Sequence, residues 1–153
     1  MTSLELKIPP PIVTLVLALA MWGISRFTPT LEVNAIFRVV AAVLVALVGG
    51  AFTAAGVTAF RRANTTLDPT KPEAAASLIT SGIYRVTRNP MYVGLLFILI
   101  GWTVFLRAPW AMVGPVAFVA YMTRFQIAPE ERALASTFGE AYASYKARVR
   151  RWL

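Results

Sequence analysis

The sequence has no histidine and no cysteine, and only 14% of its residues are charged. Without cysteine, disulfides and thiolate nucleophiles are excluded. Without histidine, the chain lacks the commonest metal ligand and the commonest general base near neutral pH, so we expect no metal site. Any chemistry must therefore use carboxylates, tyrosines, arginines, amides or a bound cofactor.

Apolar residues are abundant instead, at 58% of the 153 residues, with a mean hydropathy of +0.64. This composition lies far outside that of ordinary soluble domains and predicts an integral membrane protein, with residues 1–153 forming one domain. The net charge of +8 is then expected to contact anionic membrane lipids. We expect no nucleic-acid binding, because no soluble basic domain is present to carry it.

Four apolar segments indicate an all-α, four-span helical bundle. They cover about residues 12–27, 39–60, 91–106 and 108–123. The second reaches the roughly 20 residues that span a bilayer core. The third and fourth are shorter and are joined by Arg107-Ala108-Pro109, which predicts a tight helical hairpin.

Basic residues predict the orientation of these spans. If the N-terminus is cytoplasmic, 12 lysines and arginines fall on that side and only Arg26, Arg38 and Arg107 fall opposite. The positive-inside rule then places both termini, the 61–90 loop and the C-terminal tail in the cytoplasm.

Small residues recur every four positions along the second segment, at Ala42, Ala46, Gly50 and Ala54. Such a stripe lets another helix approach closely. Packing within one bundle is the favoured interpretation, and a homodimer through this stripe is the alternative.

Polar residues stand at two helix ends on the predicted cytoplasmic side. Arg88-Asn89-Pro90 precedes the third segment, and Glu130-Glu131 follows the fourth. Each is, taken alone, a common helix start, since proline and acidic residues favour the first turn. Because both bracket one hairpin, we expect them to converge on a single pocket.

The tail predicts two amphipathic helices, the first beginning at Pro129 and ending at Gly139. Ala141, Tyr145 and Val149 recur at a spacing of four, which predicts a stripe lying on the membrane surface.

A family resemblance is carried by the run Thr80–Gly94, by Glu130-Glu131 and by residues 138–146. These resemble the isoprenylcysteine carboxyl methyltransferases, which belong with the membrane phospholipid methyltransferases. The hallmark is arginine, histidine, proline, any residue, tyrosine, any residue, glycine, followed about 40 residues later by paired glutamates. The match here covers about residues 64–151.

The resemblance implies S-adenosyl-L-methionine as cofactor, in a cytoplasmic pocket formed by segments of about 64–94 and 126–151. The cofactor-binding residues that it implies are Ser77, Leu78, Ile79, Tyr84, Arg88, Asn89, Pro90, Met91, Tyr92, Gly94 and Glu130. Arg88 is expected to pair with the cofactor carboxylate. Tyr84 and Tyr92 are expected beside the adenine or the sulfonium.

The residues that contact the acceptor are less well matched. Glu131 is the expected proton acceptor for an amine, whereas an ionised carboxylate acceptor needs no base. The family's histidine is Asn89 here. The arginine that holds the substrate carboxylate corresponds to Gln126, with Arg124 nearby, and we expect both to position the substrate.

The resemblance implies carboxyl methylation of a lipophilic acceptor that enters from the bilayer. Methylation of a phospholipid or another lipid amine remains open. A non-enzymatic membrane channel or scaffold is the alternative from a different functional class, although few intramembrane charges are present to line an ion path.

Overall fold

The computed structural model of the chain describes residues 5–63 and 77–153. Over these ranges the protein is helical and contains no β-strand. The five α-helices are α1 (Pro10–Phe27), α2 (Ala35–Arg62), α3 (Pro90–Leu106), α4 (Val113–Tyr121) and α5 (Ala128–Arg148). Single 3-10 turns lie at Gly82–Arg85 and Pro109–Met112, and a π-helical turn, Met122–Ile127, joins α4 to α5 without a break.

Local sequence explains where the helices begin and end. Pro10 and Pro90 stand in the first turns of α1 and α3. Backbone N–H groups there have no partner within the helix, so the N–H that proline lacks costs no hydrogen bond. The Asn34 side chain caps α2 by accepting hydrogen bonds from the two backbone N–H groups at Ile36 and Phe37. At the end of α3, Arg107 adopts a left-handed conformation with φ 56° and turns the chain into the next helix.

The prediction of an all-α membrane protein is confirmed. Within residues 5–63 and 77–153, three helical stretches are long and apolar enough to cross a membrane: Pro10–Phe27, Ala35–Arg62 and the continuous run Pro109–Arg148. The predicted segment 91–106 corresponds to α3, which is apolar but has only 17 residues. In the third stretch, the charged part from Arg124 onward extends beyond the apolar segment that the sequence predicts at 108–123.

Glycines bring α2 and α3 into close contact. A Cβ on Gly49 would lie 2.5 Å from the carbonyl oxygen of Gly94, and a Cβ on Gly101 would lie 2.9 Å from that of Ala42. Side chains larger than hydrogen would therefore force the two backbones apart. This seam fixes the start of α3, which carries part of the candidate site.

The predicted small-residue stripe divides between two faces of α2. Ala42 and Ala46 pack against α3 at Gly101, which confirms packing within one bundle for this part. Gly50 and Ala54 are exposed, and a Cβ on Gly50 would meet nothing within 4 Å. The homodimer through this stripe stays a prediction, and these two positions are the ones open to it.

The remaining helices enclose the main core. Helix α1 packs against α3 and α4, with Met21 and Phe118 fully buried between them. The Trp102 indole N–H donates to the Ala18 carbonyl oxygen at 3.0 Å and ties α3 to α1.

Two features of the tail agree with the sequence prediction, and one differs. The helix predicted to begin at Pro129 is α5, which begins one residue earlier, at Ala128, and follows the π-helical turn without interruption. The predicted break at Gly139 is confirmed by its non-helical φ of 47° inside α5. The predicted surface stripe is wrong for Tyr145, which is 4% exposed, because its hydroxyl donates to the buried Tyr84 carbonyl at 2.8 Å.

Candidate active site

Three side chains from α3, the π-helical turn and α5 meet at Glu130 and form what we call the carboxylate site. The Tyr92 hydroxyl donates to Glu130 Oε1 at 2.5 Å, and Gln126 Nε2 donates to the same oxygen at 3.0 Å. Tyr92 and Gln126 are 6% and 2% exposed, whereas Glu130 keeps part of its surface accessible. The site therefore presents a carboxylate that two buried donors hold in one orientation.

The surroundings of Glu130 oppose its ionisation. Desolvation by the packed helices raises the pKa of Glu130 to about 7, and the charge of Glu131 adds to that effect. The hydrogen bonds from Tyr92 and Gln126 act in the opposite direction, because they stabilise the carboxylate. A cationic ligand at Glu130 would likewise favour the ionised form.

Glu131 belongs to a second group, the tail-anchoring network, which also contains Arg88, Asn89 and Arg151. Arg88 Nη2 lies 2.7 Å from Glu131 Oε1, and Arg151 Nη2 lies 2.7 Å from Glu131 Oε2. Lys146 Nζ is 3.7 Å from the same carboxylate. The Arg88 and Glu131 side chains are 9% and 10% exposed, so this is a nearly buried ion pair.

Glu131 has a lowered pKa, in contrast to Glu130. Burial alone would raise the pKa of Glu131, but the hydrogen bonds from Arg151 and the charge of Arg88 outweigh that effect. A carboxylate stabilised in this way is a weak proton acceptor.

The network also fastens the end of the chain to the start of α3. The Arg88 backbone N–H donates to the Arg150 carbonyl at 2.9 Å, and Asn89 Nδ2 donates to the Arg151 carbonyl at 2.8 Å. Arg88 Nη1 donates to the carbonyls of Lys146 and Val149. Asn89, which replaces the family's histidine, thus serves as a hydrogen-bond donor to the tail.

Tyr84 lies in a buried aromatic cluster with Tyr142 and Tyr145. Its ring meets Phe60 of α2 edge to face, with ring centroids 5.8 Å apart. Burial raises the pKa of Tyr84, and the charges of Tyr145 and Glu130 raise it further. Tyr84 is therefore a neutral hydroxyl that lies within the electrostatic reach of the carboxylate site.

A cavity of about 580 Å³ lies between the last turns of α2 and residues 78–83. Leu78 and Ile79, two predicted cofactor contacts, line it, together with Arg62. Ser77 Oγ, next in the chain, is buried without a hydrogen-bond partner. The part of the predicted segment 64–94 that precedes Ser77 lies outside the described residues.

Several other residues named from the sequence have structural partners. Gly94 lies in the α2–α3 seam, Pro90 is buried in the first turn of α3, and Met91 faces Gly56 of α2. Arg124 is half exposed, and its Nη1 lies 3.1 Å from Glu5 Oε1.

Sequence reasoning missed Glu5 and did not give Arg151 its place beside Glu131. Glu5 is buried and pairs with Arg124 and Arg132. An isolated acid just before three prolines was the available signal for Glu5. No local pattern marks Arg151, because its partners lie 20 to 64 residues away in the chain.

Together, these features define an all-helical integral membrane protein with a partly buried carboxylate site at one end of its helices. The sequence profile of the phospholipid methyltransferase family matches residues 37–141, well over half of the chain. The protein belongs to this family of membrane methyltransferases, as the motif around Arg88 and the paired glutamates predicts.

Individual relatives agree with that assignment. Human protein-S-isoprenylcysteine O-methyltransferase is 40% identical over 73 residues, which are 48% of this chain and 26% of the human protein. Protein-S-isoprenylcysteine O-methyltransferase B of Arabidopsis thaliana is 36% identical over 75 residues, 47% of this chain and 36% of that protein. The aligned segment is thus a minor part of both enzymes.

An uncharacterised protein of Haemophilus influenzae is 48% identical over 63 residues, which are 41% of this chain and its own entire length. No solved structure gives a significant match.

Proposed function

We propose that this protein is an S-adenosyl-L-methionine-dependent methyltransferase that acts on the carboxylate of a lipophilic acceptor. The observation that carries the proposal is the carboxylate site, in which Tyr92 and Gln126 hold Glu130. Glu130 and Tyr92 are positions at which the family resemblance implies cofactor contacts, and the structure brings them together from α3 and α5.

The side chains present fit this cofactor. Its ammonium and ribose hydroxyls need acceptors, which Glu130 supplies, and its sulfonium is attracted by aromatic faces such as that of Tyr84. The unpartnered Ser77 hydroxyl offers a further polar contact beside the cavity of about 580 Å³. When bound, the cofactor supplies a methyl group on a positively charged sulfur.

The protein's own contribution is alignment and exclusion of water. Displacement at a methyl carbon depends on holding the reactants in line, and an ionised carboxylate acceptor needs no proton transfer. The lowered pKa of Glu131 supports this acceptor class, because Glu131 is a poor base. Arg88 and Arg151 keep Glu131 ionised and hold the tail over the start of α3.

The site is proposed to face the cytoplasm in a four-span topology, with α3 as the short span. The contacts of the two chain ends support an even number of crossings. Leu6 reaches Phe125 and Trp152 reaches Thr123, so both ends lie at the end of the bundle that carries the site. A lipophilic acceptor would reach this level from the bilayer.

Methylation of a lipid amine is the second candidate. Gln126 is neutral where the resemblance implies an arginine for the substrate carboxylate, and the pKa of Glu130 near 7 suits a proton acceptor. A single experiment separates the two acceptor classes. Purified protein in liposomes made from a total lipid extract is incubated with methyl-labelled S-adenosylmethionine, and the labelled lipid is treated with alkali.

Release of labelled methanol by alkali indicates a methyl ester and supports the carboxyl acceptor. Label that remains non-volatile after alkali indicates N-methylation, because an N–CH3 bond survives alkali, and would replace the proposal by the second candidate. No label in lipid, together with no saturable binding of the cofactor by calorimetry, would contradict both and favour a channel or scaffold.

A further inference from the structure

The π-helical turn Met122–Ile127 is followed by Pro129, and this order leaves a backbone carbonyl for another partner. Proline has no N–H, so Pro129 cannot donate to the carbonyl four residues earlier, which belongs to Phe125. The Leu6 backbone N–H donates to that Phe125 carbonyl at 3.0 Å. The N-terminal segment thus supplies a donor at the turn where Pro129 has none.

Glu5 makes a second contact to the same turn. Its side chain is only 4% exposed and accepts from Arg124 Nη1 at 3.1 Å and from Arg132 Nη2 at 2.8 Å. Arg124 lies two residues before Gln126, and Arg132 lies two residues after Glu130. One buried carboxylate therefore bridges the two sides of the segment that carries two of the three polar groups of the carboxylate site, Gln126 and Glu130.

The stability that these ion pairs contribute is expected to be small. The Arg124 and Arg132 side chains are 53% and 57% exposed, and ion pairs with exposed partners contribute little to stability. Burying the Glu5 carboxylate is itself unfavourable. The contact is better explained by the geometry that it imposes on the turn.

We infer that Glu5 is a positioning residue, which holds the π-helical turn in the register that presents Gln126 to Glu130. π-Helical turns inside α-helices often occur at functional sites, because they shift side chains relative to a regular helix. Here Gln126 lies inside the turn, and its amide donates to Glu130, four residues further on, at 3.0 Å. This inference rests on the proposed function, since the effect of Glu5 is measured as the affinity of the protein for the cofactor.

The test is a double-mutant cycle on the full-length protein. Glu5→Gln is expected to weaken binding of S-adenosylmethionine by about tenfold, the scale of losing a hydrogen bond to a charged group. In a Gln126→Ala background the same substitution should have no further effect, because Glu5 acts through Gln126. The matched control, Glu32→Gln, removes an exposed acid from the α1–α2 loop and should leave the affinity unchanged.

Wild-type affinity in Glu5→Gln, or an equal loss in the Gln126→Ala background, would overturn the inference. If Glu5→Gln does not fold, Arg132→Gln takes its place, since it leaves the Glu5–Arg124 pair intact. Absence of cofactor binding by the wild type would instead overturn the proposed function. Amide exchange of residues 122–132 then decides the inference: faster exchange in Glu5→Gln than in Glu32→Gln supports it, and equal exchange overturns it.

Discussion

The Tyr92 hydroxyl and the Glu130 carboxylate are 2.5 Å apart, although the two residues lie 38 positions apart in the chain. The hydrogen bond joins the first turn of α3 to the first turn of α5. It places Glu130, whose carboxylate is partly accessible, beside the uncharged hydroxyl of Tyr92.

Glu130→Gln should weaken S-adenosylmethionine binding by about 10- to 150-fold, with little change in melting temperature. The amide keeps the shape but loses the charge, and a hydrogen bond to a charged group contributes about 1.5–3 kcal/mol. Isothermal titration calorimetry in detergent measures the change. Glu140→Gln, an exposed acid on the same helix, is the control and should bind as the wild type does. Equal affinity of all three proteins would remove Glu130 from the cofactor site.

Binding of the cofactor should strengthen as the pH rises from about 6 to 7.5. Folding raises the pKa of Glu130 from 4.5 to about 7, so the ionised form that attracts a cation appears across this range. The range ends below the α-amino pKa of about 7.7–8.0, so more than half of the cofactor's ammonium stays protonated across it. Glu131 adds no pH dependence to binding in this range, because its lowered pKa keeps it ionised throughout. Calorimetry at four pH values should show this rise in the wild type and a flat profile in Glu130→Gln.

The same shift has a consequence for the unliganded protein. Because the folded chain holds the Glu130 proton more tightly than the unfolded chain, its stabilising contribution is fully present below about pH 4.5. That contribution is lost as the pH rises through about 7.

In the calorimetric test, cofactor binding by the wild type that does not change with pH would contradict the assignment of this titration to Glu130.

Arg88→Gln should lower the free energy of unfolding by about 3 kcal/mol, at the lower end of the range for breaking a buried ion pair. Arg151 and Lys146 remain to stabilise Glu131, which limits the loss. Arg148→Gln is the control: it lies on the same tail but is exposed, and should change stability by less than about 0.5 kcal/mol. Thermal unfolding in detergent compares the variants, and equal stability would mean that the Arg88–Glu131 contact does not hold the tail.

Two glycine substitutions probe the α2–α3 seam. Gly94→Ala should destabilise the protein by about 1–3 kcal/mol, the usual cost of overpacking, because its Cβ would run into Thr53 and Gly49. Gly50→Ala places a methyl group where nothing lies within 4 Å and should leave stability unchanged or slightly higher. Unfolding temperatures of the two variants in the same detergent measure the difference. Similar values would show that the seam is looser than described.

The sequence predicts the helical segments well and their contacts less well. Hydropathy places the third segment at 91–106, within a residue of α3 at Pro90–Leu106, because an apolar run bounded by proline and arginine leaves little choice. Gly139 is likewise recognisable, since glycine accepts a left-handed conformation that other residues avoid. The helix start predicted at Pro129 lies one residue from the start of α5 at Ala128, but the sequence does not predict the π-helical turn Met122–Ile127 that joins α5 to α4 without a break.

In the candidate site, too, the sequence identifies residues better than it identifies their contacts. Glu130, Tyr92 and Gln126 could be named from the motif, and the structure brings them into contact. That Glu131 pairs with Arg151, and Arg124 with Glu5, could not be predicted, because nothing in the local sequence sets the distance between residues so far apart. Such pairs depend on how the two ends of the chain return to the bundle.

The left-handed Gly139 determines that return at the C-terminus. In an uninterrupted helix, each residue after Gly139 would advance about 1.5 Å along the axis, so Arg148 would lie about 14 Å farther on. Arg151 would then be carried away from Glu131, and Asn89 would lose its acceptor. One backbone conformation thus turns the fourteen residues after Gly139 back toward the start of α3, where Lys146 and Arg151 contact the Glu131 carboxylate.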